Sequence, residues 1–259
     1  HAPPLRTEDA IHGRGADDMK GSMAAIIEAI VALREAGAQL RGTLVVAAHS
    51  LHEAPVGTME GLRRLVASGE LGEAALVAES FPTQHQIIAG KGQAIFNIII
   101  HRDGASVHEN YAAPGTVNPL DVAVAIAERM RQRHRELAAE DIPLLGPETL
   151  FLGEIHGGDF YNRVPVEARL SGIRRFGPER TWADIEAEFA ELVAPGIQQN
   201  GITVTCELSS NGLGYRIDET APIVNALAAA HHTVTGRDLP VVGTKSVTDA
   251  NIIVREGGI

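Results

Sequence analysis

The sequence is poor in cysteine, in basic charge and in long apolar runs, and each shortage narrows the possible classes of protein. Its 259 residues include one cysteine, Cys206, which excludes an internal disulfide framework and favours a reducing compartment such as the cytoplasm. Lysine and arginine number 22 against 33 aspartates and glutamates, a net charge of −11, so no nucleic-acid partner is expected. No window approaches the roughly 18 uninterrupted apolar residues of a membrane span, so no membrane partner is expected either. The composition that remains, 44% apolar and 21% charged, is typical of a globular protein.

Both ends of the sequence suggest a piece of a longer chain. The opening residues, HAPPLRTED, contain no initiator methionine, and the closing residues, REGGI, come just after an apolar run. We therefore expect further sequence on both sides.

The first part of the chain predicts alternating helices and strands. Residues 23–36 place apolar side chains at helical spacing, in a helix that begins near Asp18 and stops at Gly37. Strands that alternate with helices indicate an α/β domain with a mainly parallel sheet flanked by helices. The other predicted elements here are a helix over 57–69 and strands over 42–50 and 74–79.

The middle of the chain predicts a different unit. Its elements follow in the order β-α-β-β-α-β, which is that of a ferredoxin-like unit. After it, a helix is predicted over 221–236 and a strand over 251–256. We therefore predict one domain of residues 1–90 and 214–259, interrupted by a ferredoxin-like α+β domain of residues 91–213. The predicted strands of the inserted unit are 93–101, 150–156, 166–174 and 202–209, and its helices are 117–137 and 182–193.

Three acids occupy equivalent places in the first domain. Asp18 begins a predicted helix, Glu53 follows one predicted strand and Glu79 ends the next. Ligands of an open parallel sheet bind outside the carboxyl ends of its strands, so the three carboxylates are expected to converge on one crevice. Clustered carboxylates repel one another unless a cation lies between them, and a divalent metal is the usual cation. Two histidines, His49 and His52, lie close to Glu53 in the sequence.

Each of these acids has a structural alternative. An aspartate at a helix start is most often a cap for free N–H groups, and Glu53 in a polar loop would be solvated. Glu79 is harder to explain in this way, because it ends an apolar run where an unpaired charge would be costly.

Five segments, taken in order, resemble one family of enzymes. GRGADDMKGSMAA resembles the metal-binding signature of the family of acetylornithine deacetylase, succinyl-diaminopimelate desuccinylase, aminoacylase and carboxypeptidase G. LVAESFPT resembles its Gly-Glu-Pro-Thr segment, and IHGGDFYNRVPVEARLSGIRRFGP resembles its stretch of Gly-Gly, Asn-x-Val-Pro and Arg-x-x-Pro. GKGQAIFNIIIHRDGASVHENYAAPGTVNPL resembles its Lys-Gly strand and histidine-containing turn, and GTKSVTDANIIVREGGI the segment before its last metal histidine. The resemblance implies a zinc-peptidase-type catalytic domain with an inserted ferredoxin-like lid and dimerisation domain.

The resemblance also implies a metal site and an oxyanion donor. Asp18, directly before Met-Lys-Gly, would bridge two divalent ions, which would be zinc or else cobalt or manganese. Glu79 would be a terminal ligand to one of them, and Asp17 has no assigned role. His108 would come from the lid, often from that of a partner subunit, and would help to stabilise an oxyanion. Taken alone, His108 would be an ordinary loop histidine.

Substrate contacts follow from the same resemblance. Asn162 and Arg175 would contact the substrate, the arginine as a bidentate clamp on a carboxylate. Arg175 is preferred to Arg174 because of the Arg-x-x-Pro spacing. The turn at Gly157 and Gly158 would help to hold the carboxylate end of the substrate, although Gly-Gly also occurs in plain turns.

The sequence departs from the family at the general base. Members carry Asp-Glu-Glu after the second strand, where the first glutamate is the base and the second a metal ligand, whereas this chain reads SLHEAPVG. An ungapped alignment puts His52 at the base position and Glu53 at the ligand position. A shift by one residue makes Glu53 the base and leaves Ala54 where a ligand should be. Both alternatives stay open, because a carboxylate is the usual base but a histidine can serve as one or could bind metal itself. Glu53 is expected to be essential in either role and His52 to share the task.

The implied function is metal-dependent hydrolysis of the amide bond of an N-acyl amino acid or small peptide. A dipeptidase or a carbamoyl-amino-acid amidohydrolase of the same family is one alternative. A non-catalytic homologue with a degraded metal site is another, which the His-Glu-Ala departure favours and the retained Asp18 and Glu79 oppose. The family's first and last histidine ligands would lie outside this sequence, so residues 1–259 alone are expected to bind metal weakly and to be inactive. The substrate would carry a carboxylate, and the lid would form a homodimer.

Overall fold

The computed structural model describes residues 3–50, 52, 57–79, 84–197 and 199–259. Two compact units make up the chain, His1–Gln86 with Glu219–Val241 and Thr248–Ile259, and Ile87–Asp218 with Val242–Val247. The helices are α1 (Ser22–Glu35), α2 (Glu60–Ser68), α3 (Pro119–Leu137), α4 (Trp182–Ile197), α5 (Pro222–Thr235) and α6 (Asp249–Gly257). The strands are β1 (Leu5–Arg6), β2 (Ile11–His12), β3 (Gln86–Gly90), β4 (Gly92–Arg102), β5 (Val107–His108), β6 (Thr149–Gly157), β7 (Arg163–Val164), β8 (Glu167–Phe176), β9 (Ile202–Gly212), β10 (Tyr215–Arg216) and β11 (Val241–Thr244).

The second unit is built on a four-stranded sheet in the order β6-β8-β4-β9, whose neighbouring strands are all antiparallel. Side chains alternate along β4, so that Ala94, Phe96, Ile98 and Ile100 are fully buried on one face. Helices α3 and α4 cover that face and close the hydrophobic core. The four strands of this sheet and the two helices follow in the β-α-β-β-α-β order that the sequence predicts.

In the first unit, α2 packs against α6. Leu62 of α2 and Ile252 and Ile253 of α6 are buried. Arg63 and Glu256 join the two helices at the surface through Nε–Oε distances of 3.1 and 3.2 Å. Helix α2 ends where the sequence predicts, because Gly69 follows it in the left-handed conformation, with φ 70°.

The strand predicted over 251–256 is wrong, because these residues belong to helix α6. Thr248 and Asn251 form a reciprocal capping box at its start, and Gly258 ends it with φ 73°. Six residues are too few for an apolar run to distinguish a strand from a buried helical turn.

The strands predicted over 42–50 and 74–79 are also wrong, since neither segment joins a sheet in the structure. Leu44, Val45 and Val46 are each more than half exposed. A strand needs a hydrogen-bonded neighbour, and apolar composition alone does not show that one is available. The fold is mixed α/β, and among the described residues the segments 42–50 and 74–79 contribute no strand to a parallel sheet.

Helix α1 forms as predicted but begins later than expected, at Ser22 instead of near Asp18. None of its residues is fully buried, although Ile26, Ile30 and Val31 are half-buried. None of the described helices is both long and apolar enough to cross a membrane.

Candidate functional site

Asp18 lies in a short helical turn, Ala16–Gly21, directly before α1. Gly15 precedes the turn with φ 77°, which glycine adopts without strain, and its carbonyl accepts a hydrogen bond from the Lys20 N–H at 3.0 Å. Asp18 itself has non-helical backbone angles, φ −102° and ψ 100°. The N-cap of α1 is Gly21, so the prediction that Asp18 begins the helix, and the alternative that it caps it, are both wrong. Its side chain is exposed.

Glu79, the second predicted metal ligand, is half-buried, and Glu53, the third, lies outside the described residues. Within the described ranges, no three histidine, cysteine, aspartate or glutamate side chains are grouped closely enough to hold a metal ion. The convergence of Asp18, Glu53 and Glu79 therefore stays a prediction. Carboxylate oxygens are suitable ligands for divalent ions such as zinc or manganese, so the residue types agree with the predicted metal site.

The structure brings His49 and His52 together on a residue that the sequence did not single out, Asp249. His49 Nε2 lies 2.6 Å from Asp249 Oδ2, and His52 Nδ1 lies 2.9 Å from Asp249 Oδ1. The side chains are 14%, 30% and 17% exposed for His49, His52 and Asp249. Burial alone would raise the pKa of Asp249, but the hydrogen bonds from His52 and His49 outweigh it and hold the pKa below its usual value. The carboxylate between the two rings is therefore ionised.

In the second unit, His108 and Asn162 lie side by side. The short strands β5 and β7 pair antiparallel, with His108 opposite Arg163, and this register places Asn162 beside the imidazole. His108 Nε2 lies 2.9 Å from Asn162 Nδ2. The Glu109 carboxylate lies 3.0 Å from His108 Nδ1, and the ring is 38% exposed. Two residues that are 54 positions apart in the chain thus form one polar cluster.

Gly157 and Gly158 lie at the end of β6 and line a groove of about 350 Å³. A Cβ at Gly157 would lie 2.5 Å from the end of the Leu120 side chain, so a larger residue there would require Leu120 to shift. Gly158 has φ 83°, which other residues adopt only with strain. Polar lining includes Ser106, His156 and Arg169.

The structure separates the roles of the two neighbouring arginines on β8. Arg174 is fully buried, and its guanidinium donates to Glu148 at 2.6 Å and to Glu188 at 2.7 Å. Arg175 is half-buried and donates to the Lys245 carbonyl at 3.0 Å. Arg174 is therefore committed to the core, and Arg175 is the one at the surface.

Arg175 lies near two other cationic side chains, Lys91 and Lys245. Burial lowers the pKa of Arg175. The pKa of Lys91 is lowered, first by burial and then by the positive charge of Lys245. Glu148 opposes this shift, and Arg175 adds to it. Lys91 is almost fully buried and donates to the Pro147 carbonyl. This end of the sheet is a cationic environment in which an anionic group is stabilised.

Sequence reasoning missed Asp249 because the residues after it were interpreted as a strand. The available signal was Thr248 with Asn251 three residues later, which is the spacing of a capping box. Interpreting this pair as a helix start would have placed an aspartate in the first turn of a helix. Its partners, however, lie 197 and 200 residues earlier in the chain, and no local pattern reveals them.

Comparison with known proteins supplies the family. The family described as peptidase family M20/M25/M40 has a model that matches residues 2–258. Succinyl-diaminopimelate desuccinylase from Gluconacetobacter diazotrophicus is 28% identical over 256 residues, which cover 96% of this chain and 63% of the relative. The chain thus spans just under two thirds of the length of that protein.

Two solved structures share the fold. The di-peptidase Dug1p from Saccharomyces cerevisiae has a TM-score of 0.72 at 12% identity, over 98% of this chain and 66% of the other. A dinuclear metal-binding peptidase of the M20 family from Bacillus subtilis has a TM-score of 0.59 at 15% identity, over 90% of this chain and 58% of the other. At these identities the two matches establish the mixed α/β fold and nothing finer.

Proposed function

The chain belongs to peptidase family M20/M25/M40, and we propose that the whole protein is a metal-dependent hydrolase that cleaves the amide bond of an N-acyl amino acid or small peptide. The observation that carries this proposal is the match of the family over residues 2–258, nearly the whole chain. The similarity to a succinyl-diaminopimelate desuccinylase supports an acylated amino acid as the substrate class.

Two divalent ions are part of the proposal, supported by the dinuclear metal binding of the Bacillus subtilis relative. Asp18 would bridge them, Glu79 would be a terminal ligand, and Glu53 would be a ligand or the general base. Bound divalent ions supply Lewis acidity and activate water at neutral pH. The position of Asp18 outside the regular helix supports its role, because its carboxylate is not used to cap α1.

Within the second unit, His108 and Asn162 would act on the substrate together. Both side chains carry N–H groups, and such donors stabilise an oxygen on which negative charge develops. In their 2.9 Å contact the Asn162 Nδ2 group donates and His108 Nε2 accepts, so the contact supports a role of His108 in orienting the Asn162 amide towards the substrate. Gly157 and Gly158 would line the place where the carboxylate end of the substrate binds.

Arg175 would clamp the substrate carboxylate, and Arg175→Lys tests this. Lysine keeps the charge but loses the planar fork, so we expect KM to rise about 10-fold to 100-fold with little change in kcat, because a hydrogen bond to a charged group contributes about 1.5–3 kcal/mol. Arg131→Lys is the matched control, because Arg131 is an exposed arginine on α3 whose guanidinium lies 3.6 Å from the Glu128 carboxylate. Equal KM values for the Arg175→Lys variant and the wild type would contradict the clamp.

The function itself is tested on the purified full-length protein. We expect it to release amine from N-acyl amino acids, to lose this activity with a chelator and to regain it when a divalent metal is restored. Dipeptides and carbamoyl amino acids, assayed in parallel, distinguish the related activities. Absence of bound divalent metal together with absence of chelator-sensitive amine release would refute the proposal and favour a ligand-binding homologue.

The role of Glu53 can be separated in the same assay. If Glu53 is a ligand, Glu53→Ala loses one equivalent of metal. If it is the base, the variant keeps its metal and loses turnover.

Four finer points complete the proposal. The metal would be zinc, which elemental analysis checks. The domains would be residues 1–90 with 214–259 and residues 91–213, the latter acting as a lid and dimerisation domain.

The edge strand β6 supports a homodimer, because Phe151 and Ile155 on it are 62% and 52% exposed. A monomeric mass in solution would contradict the homodimer. A cytoplasmic location is supported by the single cysteine and is checked by cell fractionation.

A further inference from the structure

We infer that Arg174 is a positioning residue, whose buried guanidinium holds the backbone of Arg175 in the place from which the Arg175 side chain binds the substrate carboxylate. The inference rests on the proposed function, because the substrate contact of Arg175 is part of that proposal. Arg174 itself is buried in the core, so it acts on the substrate only through its neighbour.

The first argument is the contact between the two arginines. Arg174 Nη1 donates to the Arg175 carbonyl oxygen at 2.7 Å. A hydrogen bond from a charged donor is stronger than one between neutral groups. The end of β8 that carries Arg175 is therefore held by a side chain from the core, in addition to its pairing with β4 and β6.

The second argument is that the Arg174 guanidinium has little freedom to move. Its Nε donates to Glu188 Oε2 at 2.7 Å, and its Nη2 donates to Glu148 Oε2 at 2.6 Å. Glu188 lies on α4 and Glu148 directly precedes β6, so two separate elements hold the same fork. A planar fork that is bound in three directions keeps one orientation, and the third direction is the one that meets the Arg175 carbonyl.

The third argument is that the same network holds the chain just beyond Arg175. The second oxygen of Glu148, Oε1, accepts a hydrogen bond from the Gly177 N–H at 2.8 Å. Phe176, which lies between Arg175 and Gly177, is fully buried. The backbone that carries the Arg175 side chain is thus fixed at its own carbonyl and again two residues later.

The guanidinium of Arg175 is the part of this arrangement that can meet a substrate. Its Nη1 donates to the Lys245 carbonyl at 3.0 Å, and it forms no other hydrogen bond within the described part of the chain. A carboxylate binds an arginine most strongly through two nitrogens at once. Such binding requires the arginine to be held within about 0.5 Å of the productive position, which is what the fixed backbone supplies.

Stability alone does not explain a network of this kind. Apolar side chains of similar volume often fill the site of a buried ion pair without loss of stability. What the ion network adds is direction, because a hydrogen bond is satisfied over a narrow range of distances and angles, whereas apolar contacts are non-directional.

Arg174→Lys in the full-length protein tests the inference. Lysine keeps the buried charge but has one nitrogen in place of the fork that spans two carboxylates and a carbonyl. We expect KM for N-acyl amino acids to rise about 10-fold with little change in kcat, because the carboxylate is bound less well in the ground state and the transition state alike. Arg129→Lys is the matched control, because Arg129 also donates to a backbone carbonyl at 2.7 Å, that of Glu191, and should leave KM unchanged. A fall in kcat with an unchanged KM in Arg174→Lys would overturn the inference.

A double-mutant cycle checks that the effect passes through Arg175. In an Arg175→Lys background, we expect Arg174→Lys to raise KM no further, since the clamp that it positions is already lost. Fold changes that multiply independently in the double variant would overturn the inference.

Glu148→Gln carries the same comparison if Arg174→Lys does not fold. Glutamine keeps an acceptor oxygen but loses the charge that holds Arg174. We expect a smaller rise in KM, again absent in the Arg175→Lys background. An unchanged KM in this variant would overturn the inference.

Binding without turnover separates this inference from the proposed function. The probe is an N-alkyl amino acid, which has the carboxylate but no amide bond, and its carboxamide analogue lacks the carboxylate. We expect calorimetry to show the acid bound about 10-fold more weakly by Arg174→Lys than by the wild type, and the carboxamide bound equally by both. If the wild type hydrolyses no amide but the acid shows this difference, the proposed function fails and the positioning of Arg175 stands. Equal affinities of wild type and Arg174→Lys for the acid, or a wild type that binds the acid no better than the carboxamide, would overturn the inference.

Discussion

Replacing Asp18 by alanine in the full-length protein is expected to lower kcat/KM by about 10³-fold, because the proposed ligand would hold divalent ions that would contribute several kcal/mol to catalysis. Metal content should fall together with activity, as measured by elemental analysis of the purified variant. Stability should change little, because Asp18 is exposed and does not cap α1.

Asp17→Ala is the matched control for this prediction. The two aspartates are adjacent, both are exposed and both lie in the turn Ala16–Gly21, but only Asp18 is proposed as the bridging ligand. We expect Asp17→Ala to keep its metal and most of its activity. Equal losses in the two variants would assign the effect to the charge of the turn and would contradict a specific ligand role for Asp18.

Replacing Glu148 by alanine is expected to lower the free energy of unfolding by about 3–5 kcal/mol, because it leaves a buried guanidinium with half of its charge partners gone. Glu148 accepts from Arg174 Nη2 at 2.6 Å and from the Gly177 backbone N–H at 2.8 Å. Arg174 is fully buried, so water does not replace the lost partner. Denaturation in urea measures the change.

Glu128→Ala is the matched control in the same unit. Glu128 meets Arg131 and Arg135 at 3.6 and 3.3 Å, but its side chain is 59% exposed. Exposed pairs contribute little, so this variant should lose less than about 0.5 kcal/mol. A loss of similar size in the two variants would show that Arg174 does not depend on Glu148.

The same carboxylate predicts how stability depends on pH. Burial alone would raise the pKa of Glu148, but the charge of Arg174 and the hydrogen bonds from Gly177 and Arg174 outweigh it, so the pKa lies below the usual value. A lowered pKa in the folded state stabilises it fully above the ordinary glutamate pKa, and this contribution is lost as pH falls through the lowered value. The difference in stability between wild type and Glu148→Ala should therefore narrow in acid.

The elements predicted well are those with a regular hydrophobic pattern over many consecutive residues. The strand predicted over 93–101 and the long helix predicted over 117–137 form as β4 and α3, within two residues of the expected bounds. Alternation over eleven residues and helical spacing over nineteen are strong signals because each is set by the geometry of one element. The short run over 251–256 carried no such signal, and its identity as a helix came from a capping box and from packing against α2.

By itself, the sequence determined the family, the β-α-β-β-α-β order of the second unit and the residues that match the motifs, because motif spacing and periodicity are properties of neighbouring positions. Only the tertiary structure decided that Arg174 is buried between Glu148 and Glu188 while Arg175 remains at the surface. It also decided that Asp249 meets two histidines about 200 residues away. The physical reason is the same in both cases. Burial and hydrogen bonding between distant segments depend on how the elements pack. For two adjacent residues of the same type, such as these arginines, the local sequence does not determine which one is buried in the core.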